Sequence, residues 1–96
     1  MKIIAIAKPL QPLTPEVLKP YMGTEVGATL KLYLNGKVEQ FWFAEQRGPI
    51  FLMNVDSPDD AKSVLASLPL VAGSVMDYEL IPVGPLMPLG RLLPPE

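Results

Sequence analysis

The segment predicted as a strand at 38–44 carries large apolar side chains on both of its faces. Successive side chains of a strand point to opposite faces, so Phe41 and Phe43 share one face and Trp42 lies on the other. A short connection that ends at Gly48 leads into a second apolar segment, which predicts a hairpin. Strands with one solvated face alternate apolar with polar residues. This hairpin is therefore predicted to be covered on both faces.

The order of the predicted elements determines the fold class. The predicted elements are a strand at 2–8, a helix at 21–34, strands at 38–44 and 49–55, a helix after Ser57, and a strand at 75–83. This strand–helix–strand–strand–helix–strand order predicts an α+β, ferredoxin-like βαββαβ fold with a four-stranded antiparallel sheet. Both helices cover one face of the sheet. The other face is left bare, and two such faces packed together form a dimeric α+β barrel.

The helices are predicted from capping residues and apolar spacing. Ser57 precedes Pro58 and two aspartates, which is the pattern of an N-cap, a proline at the first helical position and acidic residues near the helix dipole. In the first helix, Met22, Val26 and Leu30 fall on one stripe at four-residue spacing and predict the face that packs on the core. Thr14-Pro15 predicts the start of this helix, with Thr14 as N-cap and Pro15 at the first helical position. Pro20 is expected to kink or restart the helix and to leave 21–34 as its main body.

The chain is predicted to contain one ferredoxin-like domain at 1–84 and a Pro-rich arm at 85–96. Hydrophobic residues make up 49% of the chain, and the mean hydropathy is +0.28. Both values are high for a small domain, whose surface is large relative to its core. Large apolar surfaces mark contact sites, so we expect a homodimer or a larger homo-oligomer. The arm is expected to lie extended across a neighbouring surface.

The composition excludes several classes of function. The sequence contains neither Cys nor His, which removes disulfides, thiolate chemistry, the usual zinc sites and imidazole bases. No metal site or cofactor is expected. The net charge is −2 with no basic cluster, which argues against nucleic acid as a partner. Apolar runs are too short for a membrane span, and the run at 3–7 is too short for a signal peptide. A cytoplasmic location is therefore expected.

Three stretches of the sequence resemble muconolactone isomerase and its relatives among the dimeric α+β barrels, including YCII-related proteins. The stretches are NGKVEQFWF, NVDSPDDAKSVLASLPL and MDYELIPVGP. The most specific parts of the resemblance are Gly36-Lys37, Trp42, the acidic residue before Ser57, and Leu68-Pro69-Leu70. The resemblance implies a cofactor-free isomerisation, in which a proton is removed near the carbonyl of a five-membered lactone and returned elsewhere. It also implies dimers or rings of dimers.

The resemblance carries over to few polar positions. Glu25 lies where the family helix has a Glu that faces the pocket, and Trp42 is retained. Gln40 stands where the isomerase is expected to have an imidazole, and Phe43 where it is expected to have a basic side chain. These departures fit a shared fold with a changed or absent reaction.

Each candidate residue has a structural role as its alternative. Glu25 is the candidate general base if an apolar pocket raises its pKa, and otherwise a solvated carboxylate on the helix surface. Trp42 stacks on a planar ligand or packs at an interface. Tyr33 and Tyr78 donate to an oxyanion or to the backbone. With Gln40 as a further substrate-binding candidate, three functions stay open: an isomerase, a non-catalytic module that binds a small molecule, and a structural oligomer.

Overall fold

A computed structural model describes residues 1–84 and confirms the predicted ferredoxin-like α+β fold. The elements are β1 (Lys2–Pro9), α1 (Pro15–Leu34), β2 (Val38–Ala44), β3 (Gly48–Asn54), α2 (Pro58–Ala66), α3 (Pro69–Ala72) and β4 (Met76–Val83). The four strands pair in the order β2-β3-β1-β4, and every pairing is antiparallel. The predicted arm at 85–96 lies outside the described residues.

Alternate residues of the central strands form the core between the sheet and the helices. Ala5 of β1 pairs with Phe51 of β3 on one side and with Leu80 of β4 on the other, which places all three side chains on one face. Ile3 and Met53 continue this face and are fully buried. Alternate residues of β3 and β4 therefore face the helices.

The opposite face of the sheet carries an apolar band that no described helix covers. Trp42 pairs with Ile50 across β2 and β3, and its side chain is 50% exposed. Alternate residues of the four strands form the band: Ile4, Ile6, Trp42, Ile50, Leu52 and Ile81. An ion pair between Lys2 and Glu39 borders it at one end.

Helix α1 begins at Pro15, directly after the predicted N-cap Thr14, and is continuous through Pro20. Thr14 caps it, since its Oγ1 accepts a hydrogen bond of 3.3 Å from the Val17 N–H, and Pro15 occupies the first turn. The restart expected at Pro20 is wrong, because the helix runs through this residue and lacks only the backbone hydrogen bond that proline cannot donate. None of the helices within residues 1–84 is long and apolar enough to cross a membrane.

The predicted core-facing stripe of α1 is also wrong. Glu25 and Leu32 are the buried residues of α1, and Leu18, Tyr21 and Ala28 pack against the core. These five residues follow each other at three- and four-residue spacing, so they form the inward stripe. The residues predicted for that role, Met22, Val26 and Leu30, are exposed. Since α1 has apolar residues on two stripes, the spacing alone did not decide which stripe is inward.

Two glycines are required by close approach or by backbone conformation. Gly48 ends the β2–β3 hairpin with a φ of +104°, and a Cβ there would lie 3.3 Å from that of Ala7. Gly73 follows α3, and a Cβ there would lie 2.5 Å from the Tyr21 hydroxyl oxygen. Helix α2 ends at Ala66, and Pro69 begins α3. The contact between Tyr21 and Gly73 brings α1 close to the end of α3.

We expect the N-cap of α2 to contribute measurably to stability. Ser57 Oγ accepts a hydrogen bond of 3.0 Å from the Asp60 N–H, so Ser57→Ala is expected to lower the free energy of unfolding by about 1 kcal/mol. Urea unfolding followed by circular dichroism measures this change. Ser63→Ala in the exposed part of the same helix is the matched control, and it is expected to change stability by less than about 0.5 kcal/mol. Equal effects of the two substitutions would contradict the capping role.

Candidate functional site

An apolar groove of about 740 Å³ lies between α1 and the β2–β3 hairpin. Its walls come from the outward stripe of α1 (Met22, Val26 and Leu30), from the helix-side face of β2, and from the Pro-rich segment after β1. The lining includes Gln11, Met22, Glu25, Val26, Thr29, Phe41, Phe43, Gln46, Leu70 and Met76. Phe41 and Phe43 belong to the wall, and Phe43 is 76% exposed. The groove is thus open to solvent and wide enough for a small organic molecule.

Glu25 is the ionisable side chain of this groove and is nearly inaccessible to solvent. Its exposed fraction is 6%, although Glu25 is one of the residues that line the groove. Oε2 accepts a hydrogen bond of 3.4 Å from the Leu70 N–H at the start of α3. Burial raises the pKa of Glu25 above its ordinary value, and the Leu70 hydrogen bond opposes this shift only in part. The alternative of a solvated carboxylate on the helix surface is therefore wrong.

Tyr78 contributes a second buried polar group near Glu25. The Tyr78 side chain is 8% exposed, and its ring stacks on Phe51 with 5.4 Å between the ring centroids. The hydroxyl group has no hydrogen-bond partner among the described residues. Burial and then the negative charge of Glu25 raise the pKa of Tyr78 above its usual range. The phenol therefore stays protonated and keeps a donor available beside Glu25.

The structure does not bring all of the predicted site residues together. Gln40 pairs with Leu52 and Trp42 with Ile50, so both side chains belong to the sheet face opposite the groove. Tyr33 makes an edge-to-face contact with Phe41, with 5.5 Å between the ring centroids, and does not line the groove. Within one chain, Gln40 and Trp42 cannot contact the same small molecule as Glu25. Their ligand-binding roles stay predictions.

Several residues that line the groove were not singled out from the sequence. Gln11, Thr29 and Gln46 supply its neutral polar side chains, and Gln46 has a positive φ of 65° in the hairpin turn. For Gln11, the available signal was its position in a Pro-rich segment, where prolines prevent regular secondary structure. No comparable signal identified Gln46, because a left-handed glutamine is uncommon.

The chemistry available in the groove is limited to proton transfer and hydrogen bonding. Glu25 can donate or accept a proton, and Gln11 and Gln46 carry amides that can donate to a carbonyl oxygen. Within residues 1–84, acidic side chains do not converge into a group that could hold a metal ion. The remaining lining is apolar and can exclude water from a bound molecule.

Comparisons with known proteins do not assign the chain to a family. The sequence matches no protein-family model, and a comparison with curated proteins finds no significant match. The resemblance to muconolactone isomerase therefore rests on the residues quoted above. A ferredoxin-like fold hosts many unrelated functions, so the fold itself does not select one of them.

The raised pKa of Glu25 predicts a specific pH dependence of stability. The unfolded chain releases this proton at a lower pH than the folded chain, so stability falls as pH rises from the ordinary glutamate pKa to the raised one. Glu25→Gln removes this loss. The variant is expected to be more stable than the wild type at pH 8, by about 1.4 kcal/mol for each pKa unit of elevation.

Urea unfolding at pH 3.5 and pH 8 measures this effect. The advantage of Glu25→Gln is expected to shrink towards zero at pH 3.5, where the carboxyl is protonated in both states. Glu45→Gln in the exposed hairpin turn is the matched control, and its stability difference from wild type should not change with pH in this way. A Glu25→Gln variant that is less stable at pH 8 than at pH 3.5, relative to wild type, would contradict the raised pKa.

Proposed function

We propose that this protein is a cofactor-independent isomerase that acts on a small lactone or enol-type molecule, as the resemblance to muconolactone isomerase implies. The observation that carries the proposal is a carboxyl group, that of Glu25, buried in the wall of an apolar groove. Such an environment tunes a carboxylate towards the pH at which it can both remove and return a proton. The chain has no His to serve as an alternative base.

In the proposed reaction, Glu25 removes a proton from the carbon next to the carbonyl group. The electrons of the C–H bond form a dienolate, and the same carboxyl then returns the proton to the far carbon of that system. No electron or atom is gained or lost overall. One titratable group is sufficient, provided that the proton is removed and returned on the same face of the ring.

The developing negative charge on the carbonyl oxygen requires a hydrogen-bond donor. Gln11 and Gln46 are the amide side chains of the groove, and they replace Gln40 in this role within one chain. The Tyr78 side chain does not line the groove, so its hydroxyl is not assigned to this role. Phe41 and Phe43 supply the apolar wall that was assigned to Trp42 from the sequence.

The second candidate function is binding of a small molecule without turnover. It is favoured by the absence of a second titratable side chain in the described lining of the groove, because many proton transfers use an acid and a base in separate positions. The two functions share the same groove and ligand. They differ in whether hydrogen at the carbon next to the carbonyl exchanges with solvent.

Isomerisation of α-angelica lactone in D₂O tests the proposal. Proton NMR reports conversion to the conjugated isomer and deuterium incorporation. Glu25→Gln is expected to lower the rate at least about 10²-fold, and it is expected to remain folded. Glu45→Gln is the control and should keep the wild-type rate. Full activity of Glu25→Gln would refute the base role, and binding of the lactone without exchange would leave the second candidate.

We also propose that the protein forms a homodimer, or a larger homo-oligomer, through the bare sheet face. The apolar band that contains Trp42 and Ile50 supports this proposal, because apolar patches of this kind mark contact surfaces. On β2, the proposed interface accounts for Trp42 on one face, whereas Phe41 and Phe43 on the other face line the open groove and are exposed.

A charge at Trp42 is expected to dissociate this oligomer. Trp42→Lys would bury an unpaired charge between two sheets, which is strongly unfavourable. Sedimentation velocity at micromolar concentration is expected to show an oligomer for the wild type and a smaller or unfolded species for the variant. Phe43→Lys places the same charge on the adjacent residue and on the opposite face, and it should leave the oligomer intact. A monomeric wild type would refute the proposed interface.

A further inference from the structure

We infer that the groove selects uncharged, largely apolar carbonyl compounds and rejects anions of the same size and shape. This inference rests on the proposed function and names the class of ligand for the same site. It follows from the distribution of charge around the groove, since the apolar lining alone would accept any hydrophobic molecule.

The described lining of the groove contains no cationic side chain. Its polar side chains are Glu25 and the uncharged Gln11, Thr29 and Gln46. The cations directly adjacent in sequence to lining residues are Lys8, Lys19, Lys31 and Arg47. All four are exposed, and none of them lines the groove. An anion bound in the groove would therefore lose its water without gaining an opposite charge, which is costly.

Glu25 opposes an anion in either of its protonation states. When it is ionised, its charge repels a carboxylate at close range, and the apolar surroundings screen this repulsion poorly. When it is protonated, it offers a single hydrogen bond, which does not compensate for the desolvation of a charge. A neutral carbonyl group avoids both penalties. It can accept a hydrogen bond from the protonated carboxyl or from the amides of Gln11 and Gln46.

A pair of ligands that differ only in charge tests this inference. The ketone 4-phenylbutan-2-one and the anion 3-phenylpropanoate share a phenylethyl group and a carbonyl carbon, and differ by a methyl group in place of a charged oxygen. The ketone is expected to bind the wild-type protein at pH 7.5 at least about tenfold more tightly than the anion. Titrations followed by NMR measure both affinities.

The methionine methyl groups report where each ligand binds. Met22 and Met76 line the groove, whereas Met53 is fully buried in the core and is not part of the lining. In protein labelled with ¹³C at the methionine methyl groups, a ligand in the groove is expected to shift the Met22 and Met76 signals and not that of Met53. Single Met→Leu variants assign the signals.

Two substitutions change the charge of the groove in a predictable direction. Glu25→Gln removes the negative charge and is expected to narrow the preference for the ketone by strengthening binding of the anion. Thr29→Arg introduces a cation from α1 and is expected to reverse the preference. Thr29→Gln adds a long side chain without charge and controls for lost space, so it should retain the preference for the ketone.

The outcomes separate this inference from the proposed function. Equal affinities of the ketone and the anion for the wild-type groove, or tighter binding of the anion, would overturn the inference and leave the proposed site in place. Failure of both ligands to shift Met22 and Met76 up to their solubility limits would overturn the proposed site, and the inference with it. A clear preference for the ketone that Thr29→Arg reverses would support both.

Discussion

The buried carboxyl of Glu25 is the constraint around which α1 is placed. Its Oε2 accepts a hydrogen bond from Leu70 in α3, and the Tyr21 ring packs against Gly73 where α3 ends. These contacts hold the inward stripe of α1 towards α3 and the core. The outward stripe is then directed towards the β2–β3 hairpin, and the groove is the space between them. A carboxyl with one long hydrogen bond is costly to bury. The orientation of α1 that leaves the groove open is therefore also the orientation that buries Glu25 at this cost.

Local signals predicted most of the fold, and tertiary packing decided the rest. The caps at Thr14 and Ser57 and the strand alternation depend on neighbouring residues, so the sequence displays them directly. The orientation of α1 does not depend on neighbouring residues alone. Its two apolar stripes compete, and a stripe that contains Glu25 looks less suitable for a core than one that contains Met22 and Val26. The less apolar stripe faces inward, and Glu25 accepts one hydrogen bond there from the Leu70 N–H of α3.

From the sequence, Glu25 could be identified as a candidate, but the residues that surround it in the groove could not. Glu25 was identified as a possible base, but its burial depends on contacts with α3 that are distant in sequence. The alternation of β2 placed Phe41 and Trp42 on opposite faces, yet it could not indicate that the Phe41 face stays partly open. The left-handed backbone conformation of Gln46 and the Tyr78 hydroxyl without a hydrogen-bond partner depend on how the whole chain folds. Such features have no local pattern that a single sequence reveals.

In the proposed function, protonation of Glu25 favours ligand binding and opposes removal of a proton from the ligand. A neutral carbonyl ligand that accepts a hydrogen bond from Glu25 favours the protonated carboxyl, so its affinity falls as pH rises above the pKa of Glu25. Removal of a proton from the ligand needs the ionised form, so turnover per bound molecule rises over the same range. A protein that only binds would show the first dependence without the second. The opposite pH dependences therefore distinguish an isomerase from a binding protein by the behaviour of one side chain.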